Sequence, residues 1–288
     1  MKKFILLVAA VAFAATTTAQ SSKFESGADE VILYWDNTTA PHSNCDSVPE
    51  HVVAQSGKYK VSHTTETVFY LFKPEKPSGH GLVIFPGGGY QTVNLNFGWA
   101  KWLANNGITT MVVKYRLPNG HRQVPLEDAA AAVEYMRTNA DRLGISPTKI
   151  GVSGSSAGGH LAAWSSVVLQ GAQKPDFAVL HYPVINGQVW TNKPQWSTFE
   201  ALLGKWRTPV DIENHSVDLL VNKQTPPTLI LHCDDDPLAP TINSMLYYKA
   251  LKSHGVKASM HIFPSGGHSW KDYKEQWMNA TKEWVLSF

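Results

Sequence analysis

The sequence predicts an α/β fold, a mostly parallel central sheet with helices on both faces. Three observations point there. From residue 82 onward, short apolar strands and helical segments alternate in regular succession, the pattern of βαβ units. The strands at 82–85 and 177–181 are apolar along nearly their whole length, as strands covered on both faces are. The 288-residue length suits one such domain with a large core.

Lys2 and Lys3, the apolar run 4–15 and the small residues Thr17, Thr18 and Ala19 have the layout of a secretory signal peptide cleaved before Gln20. The run is too short to span a bilayer. Residues 1–19 are therefore expected to be a signal peptide and 20–288 the folded domain. The protein is expected to be exported, to periplasm or medium, with no cysteine at the cleavage site for a lipid anchor. Residues 20–60 have turn formers between 37 and 47 and little periodicity. The stretch 61–72 alternates enough to read as a strand, and 73–81, with Pro74, Pro77 and Gly79, as a turn. There follow strand 82–85, helix 99–105 stopped by Gly107, strand 108–115, amphipathic helix 126–139, strand 149–153, helix 157–170 and strand 177–181. Residues 184–225, rich in Asn, Pro, Trp and Gly, break the alternation and read as a small inserted cap. Strand 228–233, helix 243–254, strand 258–263 and helix 273–286 complete the domain.

The chain carries 25 Lys and Arg against 23 Asp and Glu. Lys2 and Lys3 leave with the signal peptide, so the remainder is formally neutral, with no electrostatic footprint for nucleic acid or anionic membrane. No later stretch has the length of a transmembrane helix. An oxidising compartment would permit a bridge between Cys45 and Cys233, but sequence does not bring them within range; two free thiols are the alternative.

Chemistry concentrates in three loops. Gly154, Ser155, Ser156, Ala157 and Gly158 fit G-x-S-x-G where strand 149–153 must turn sharply into the next helix, the context of a nucleophile elbow. The glycines clear space for a serine held on a strained bend, and Ser156 is the candidate nucleophile. Neither Ser153 nor Ser155 has glycine at both −2 and +2. Pro86, Gly87, Gly88, Gly89 and Tyr90 directly follow strand 82–85. Glycines let backbone N–H groups approach a carbonyl without a Cβ clash, so the amides of Gly88 and Gly89, with that of Ala157, are candidates for an oxyanion hole. No Gly-Lys-Ser/Thr ending marks a phosphate-binding loop.

With such an elbow, acid and base follow the serine in the chain. His268 stands in the loop Ser265, Gly266, Gly267 after the last strand, and is the candidate base. His160, four residues past Ser156 on the helix, points along or away from the site and is expected to be structural. His181 and His232 end strands and are candidates for lining the pocket. Asp234, Asp235 and Asp236 follow strand 228–233, and one of them is expected to hold the histidine tautomer. Three consecutive carboxylates are a poor metal site, and none is expected.

The chain resembles the acetyl xylan esterase and feruloyl-esterase-like branch of the α/β-hydrolases. The matching residues are 85–90 (FPGGGY), 112–117 (VVKYRL), 154–162 (GSSAGGHLA), 182–185 (YPVI), 202–204 (LLG), 226–228 (PPT) and 266–268 (GGH). They run through the chain from about residue 82. Pro86 stands where the HGGG-type loop of lipases and esterases has histidine, and residues 184–225 fall in the family's variable part. Asp236 matches the family's D-x-x-V-P pattern after this strand, with Ala239 in place of valine, and Asp235 is the fallback. The resemblance implies cofactor-free hydrolysis of small acyl esters, often O-acetyl on plant polysaccharide; with the signal peptide and the three loops, the expectation is a secreted serine carboxylesterase using Ser156, His268 and Asp236. Trp190, Trp196, Trp206, Tyr90 and Trp270 are candidates for stacking on sugar rings or for plain packing. The rival readings are a prolyl-oligopeptidase-like peptidase, disfavoured because only about sixty residues precede the matching region, and a non-catalytic carbohydrate-binding relative.

Overall fold

The computed structural model describes residues 24–188 and 193–288, the side chains of 193–196 excepted. The expected signal peptide, 1–19, and Trp190 lie outside the described residues. The chain opens with β1 (Glu30–Asp36), the hairpin β2 (His51–Gln55) and β3 (Lys58–Ser62), and β4 (Glu66–Phe72). Next, β5 (Gly79–Phe85) runs through the glycine loop into β6 (Val93–Asn96) and α1 (Phe97–Asn105). The alternation continues with β7 (Thr109–Lys114), α2 (Gln123–Thr138), the single-turn α3 (Ala140–Leu143), β8 (Ile145–Ser155), α4 (Ala157–Val168) and β9 (Phe177–His181). Two helices, α5 (Lys193–Leu203) and α6 (Pro209–Glu213), occupy the expected insertion, followed by β10 (Thr228–Cys233), α7 (Ile242–Ser253), β11 (Ala258–Phe263) and α8 (Lys274–Leu286).

Eight strands form the main sheet in the order β1-β4-β7-β5-β8-β9-β10-β11. The six from β7 to β11 are parallel; at one edge β4 runs antiparallel to β7, and β1, antiparallel to β4, points the same way as the six. Apolar β5, β7, β9 and β10 are buried over almost every residue, because helices cover the sheet on both sides. The consequence for function is positional. In a parallel sheet the loops after β5, β8, β10 and β11 all open at the carboxyl end, and these carry the glycine loop, Ser156, the three aspartates and His268.

Two departures from the sequence reading matter. Residues 61–72 are not one strand: β3 ends at Ser62, His63 takes φ +57°, and the chain crosses from one sheet to another before β4. The second sheet, β2-β3-β6, is absent from the sequence reading. Its strands are short and its outer residues exposed, so they lack the apolar signature by which strands are recognised.

The N-terminal segment is tied to the main sheet and α2 by a buried ion pair. Arg116, just after β7, and Asp128 on α2 are both fully buried. The Arg116 guanidinium donates to Asp128 through Nη2 at 2.7 Å and Nε at 3.1 Å, and Nη1 donates to the His42 carbonyl. The Trp35 indole on β1 donates to the same carboxylate at 2.7 Å, and the Arg116 amide donates to its other oxygen. A buried charge left without its partner costs about 3–5 kcal/mol. Asp128→Asn is therefore expected to lower stability by about 3 kcal/mol or more, seen as a lower urea midpoint. A loss under about 1 kcal/mol would show that the pair is not the clasp described here.

Candidate active site

Ser156 occupies the bend between β8 and α4 with φ 56° and ψ −122°, a region costing a non-glycine residue about 1–3 kcal/mol. Among the three neighbouring serines only Ser156 has positive φ. The bend is held from several sides: its N–H donates to the His181 carbonyl, and its carbonyl accepts from the amides of His160 and Val184. The flanking glycines are there for space. A Cβ on Gly154 would lie 2.0 Å from the Gly158 carbonyl oxygen, and one on Gly158 would lie 2.1 Å from the Phe85 carbonyl oxygen. Backbone cannot yield as a flexible side chain can, so both positions require glycine.

The glycine loop rests against this bend, with the Cβ position of Gly87 3.1 Å from that of Ser156. It is fixed by the Tyr115 hydroxyl donating to the Pro86 carbonyl, and by the Asn94 amide donating to the Gly87 carbonyl. The Tyr90 hydroxyl reaches His160 Nδ1 at 2.9 Å, while His160 Nε2 meets the His215 carbonyl at 2.9 Å. A carbonyl only accepts, so Nε2 carries the proton and Nδ1 accepts from Tyr90. His160 thus has the structural role expected of it: it couples the glycine loop and α4 to the segment after α6. Among the described residues no protein group accepts from the amides of Gly88, Gly89 or Ala157, which leaves these donors free.

His268 projects from the loop after β11. Its Nδ1 lies 2.7 Å from Asp236 Oδ2, leaving Nε2 as the ring nitrogen available to the cleft that Ser156 also lines. Among the described residues no hydrogen bond joins the Ser156 hydroxyl to the ring. Tyr182 packs on the imidazole with ring centroids 4.5 Å apart. Asp236 is 5 % exposed. Burial opposes its charge, but hydrogen bonds from His232 and His268 and from the Ala239 amide outweigh this and hold the carboxyl well below the usual carboxylate range.

Asp235 has a different place. Its exposed carboxylate accepts from the amides of Gly266 and Gly267, fastening the loop that carries His268. His232 does not line the cleft, in contrast to the sequence reading. It is fully buried behind Asp236, its Nε2 shared between the Ala239 carbonyl at 2.8 Å and the Asp236 carboxylate at 3.2 Å, with Ser244 at Nδ1. A histidine inside an apolar strand needs such partners, and that was the available signal.

His181 does line the cleft, buried among Trp99, Trp270 and Trp277 with its Nε2 unpartnered. The cleft has a volume of about 940 Å³. Of the aromatic residues singled out in the sequence, Trp270 lines it, together with Trp99, which was not foreseen. Tyr90 is buried packing, and Trp206 is 95 % exposed and not among the lining residues. Trp190 and the side chain of Trp196 lie outside the described residues. Cys45 and Cys233 are both free, and no metal-binding group of His, Cys, Asp or Glu occurs among the described residues.

A sequence model described as alpha/beta hydrolase fold matches residues 82–272. An acetylxylan esterase of Xylanibacter ruminicola is 36% identical over 228 residues, 75% of this chain and 47% of the relative. An endo-1,4-beta-xylanase B of Butyrivibrio fibrisolvens is 29% identical over 205 residues, 65% of this chain and 32% of the relative. The chain thus spans about half the length of the first relative and a third of the second. Among solved structures, an acetyl ester-xyloside bifunctional hydrolase of Caldicellulosiruptor lactoaceticus superposes with a TM-score of 0.71 at 30% identity, over 90% of this chain and 96% of that one.

The buried imidazoles set an acid limit on the fold. Burial pushes His160 down to about 4 and His181 down to about 3. Unfolded, each titrates near 6.5, so below that pH the unfolded chain binds protons that the folded chain refuses. The stabilising part of Asp236, whose folded value is depressed, is present above about 3.9 and goes only under more acid conditions. The melting temperature is therefore expected to fall as pH drops from about 6.5 toward about 4. A flat profile across that window would contradict the neutral, buried state of these rings.

Proposed function

The chain belongs to the alpha/beta hydrolase fold family, and from that premise we propose that it is an exported serine esterase releasing small acyl groups, acetyl foremost, from a carbohydrate. The observation that carries this reading is the buried Asp236 carboxylate 2.7 Å from His268 Nδ1, on a loop bordering the same cleft as the Ser156 bend. Support for the acyl group and the sugar comes from the names of the similar proteins, an acetylxylan esterase and an acetyl ester-xyloside hydrolase. Support for export comes from Lys2, Lys3 and the apolar run behind them.

In this mechanism Ser156 Oγ attacks the ester carbonyl while His268 Nε2 takes its proton, the hydroxyl first turning toward the ring. Catalytic hydrogen bonds of this kind commonly close only with substrate bound. Asp236 holds Nδ1–H and stabilises the imidazolium that forms. The oxyanion is met by the free amides of Ala157 and of Gly88 or Gly89, each such donor being worth about 3 kcal/mol. The imidazolium returns its proton to the departing sugar hydroxyl, leaving an acyl-serine. Water, deprotonated by the same ring, then attacks the acyl-serine, and the ring passes that proton to Ser156 Oγ as the carboxylic acid leaves.

Acetate release from acetylated xylo-oligosaccharides, with p-nitrophenyl acetate and a dipeptide anilide alongside, tests the reading. Ester hydrolysis that far outpaces anilide cleavage is expected. Ser156→Ala is expected to lower kcat roughly 10³-fold or more, and a loss below about 100-fold would remove Ser156 from the role. Asp236→Asn is expected to cost roughly 10³–10⁴-fold, whereas Asp235→Asn, which loosens the loop through its two backbone amide bonds, is expected to cost about tenfold at most. The reverse order would assign the acid to Asp235.

A further inference from the structure

The small sheet β2-β3-β6 has two unlike faces. Register places Val52, Val61 and Val93 in one cross-strand row and Ala54, Tyr59 and Leu95 in the next; Val61, Val93 and Leu95 are fully buried against the core. The opposite face carries the rows Val53, Lys60, Asn94 and Gln55, Lys58, Asn96. All six of these residues line the cleft that holds Ser156 and His268. This face adjoins the reacting centre, because the Asn94 amide donates to the carbonyl of Gly87 in the glycine loop.

The chemistry of the face is one-sided. Lys58 and Lys60 are exposed, and neither ammonium has an ion-pair partner among the described residues. No Asp or Glu occurs among the described residues lining the cleft. Amides of Asn94, Asn96 and Gln55 suit the hydroxyls of a sugar, and a neutral sugar would need nothing more. Two unbalanced cations on alternate residues of one strand, where the backbone repeats every ~6–7 Å, suit a carboxylate among those hydroxyls. The cleft, at about 940 Å³, falls at the upper end of ligand pockets and has room for much more than an acetyl group.

We propose that this polar face is the sugar-side subsite of the cleft, and that Lys58 and Lys60 select acylated oligosaccharides bearing a uronic acid carboxylate. The inference rests on the esterase reading above and gives its substrate a charge. The carboxylate is held over β3 while the acyl group lies at Ser156, and the amide side chains of the flanking strands take the hydroxyls. Exposed ion pairs are weak singly and screened by salt, so the device sets a preference within a substrate class.

The experiment uses two acetylated β-1,4-linked trisaccharides that differ only in one sugar, glucosyl in one and glucuronosyl in the other. The readout is the ratio of their kcat/KM values, in which any general loss of activity cancels. Wild-type protein is expected to favour the carboxylated probe about fivefold, the advantage shrinking as salt is raised. K58Q/K60Q is expected to bring the ratio to about one, K58E/K60E to invert it, and Lys252→Gln on α7 to leave it unchanged. Equal rates on both probes in the wild type, or a ratio untouched by K58Q/K60Q, would overturn the proposal while leaving the esterase reading intact. Failure of the wild type on both probes and on p-nitrophenyl acetate would instead overturn the esterase reading, and this proposal with it.

Discussion

The site depends on a contact that allows no side chain. Where β8 turns into α4, the Gly154 and Gly158 backbones approach each other and the end of β5 so closely that a Cβ on either would lie about 2 Å from a carbonyl oxygen. That approach lets α4 begin at once after the strand and forces Ser156 into its left-handed conformation. The strain persists because hydrogen bonds through both its N–H and its carbonyl tie the residue to neighbouring segments. Strain of this kind survives only where the surroundings over-determine it. The same contact brings the glycine loop against the serine, so Ser156 and the free amides come from one packing solution.

Electrostatics supplies the second half. A carboxylate as buried as Asp236 should resist ionisation, yet two histidines and two backbone amides converge on it. The hydrogen bonds prevail over desolvation, so the charge is kept in place to orient His268. His232 fills the rear of this arrangement; the Ala239 carbonyl, which only accepts, sets the proton on Nε2, and Nδ1 accepts from Ser244. Two of the three aspartates after β10 therefore divide the work: Asp236 faces the imidazole, and Asp235 clips the glycines before it.

What could be read from the sequence follows from how strictly each feature is constrained. The elbow, the glycine loop and the Gly266, Gly267, His268 turn were legible because backbone geometry there admits few residues, and glycine marks the places. The parallel sheet was legible because strands covered on both faces must be apolar. The second sheet was not, since β2, β3 and β6 are short and show polar side chains to the cleft, which reads as loop. Asp236 and Asp235 could be ranked only by resemblance, because one residue's step along a turn reverses which carboxylate points inward. Tyr90 and Trp206 show the same limit for aromatic residues: the first is locked to His160 and the second lies in solvent, a difference composition does not carry.

The proposed chemistry requires that one serine, held on a strained bend, be made nucleophilic by the imidazole sharing its cleft. Treating the intact protein with a fluorophosphonate and mapping the adduct by peptide mass spectrometry tests it most directly. One stoichiometric adduct is expected, on Ser156, formed far more slowly when His268 is replaced by alanine. An adduct on Ser155 or Ser153, or none on a protein that still hydrolyses esters, would contradict it.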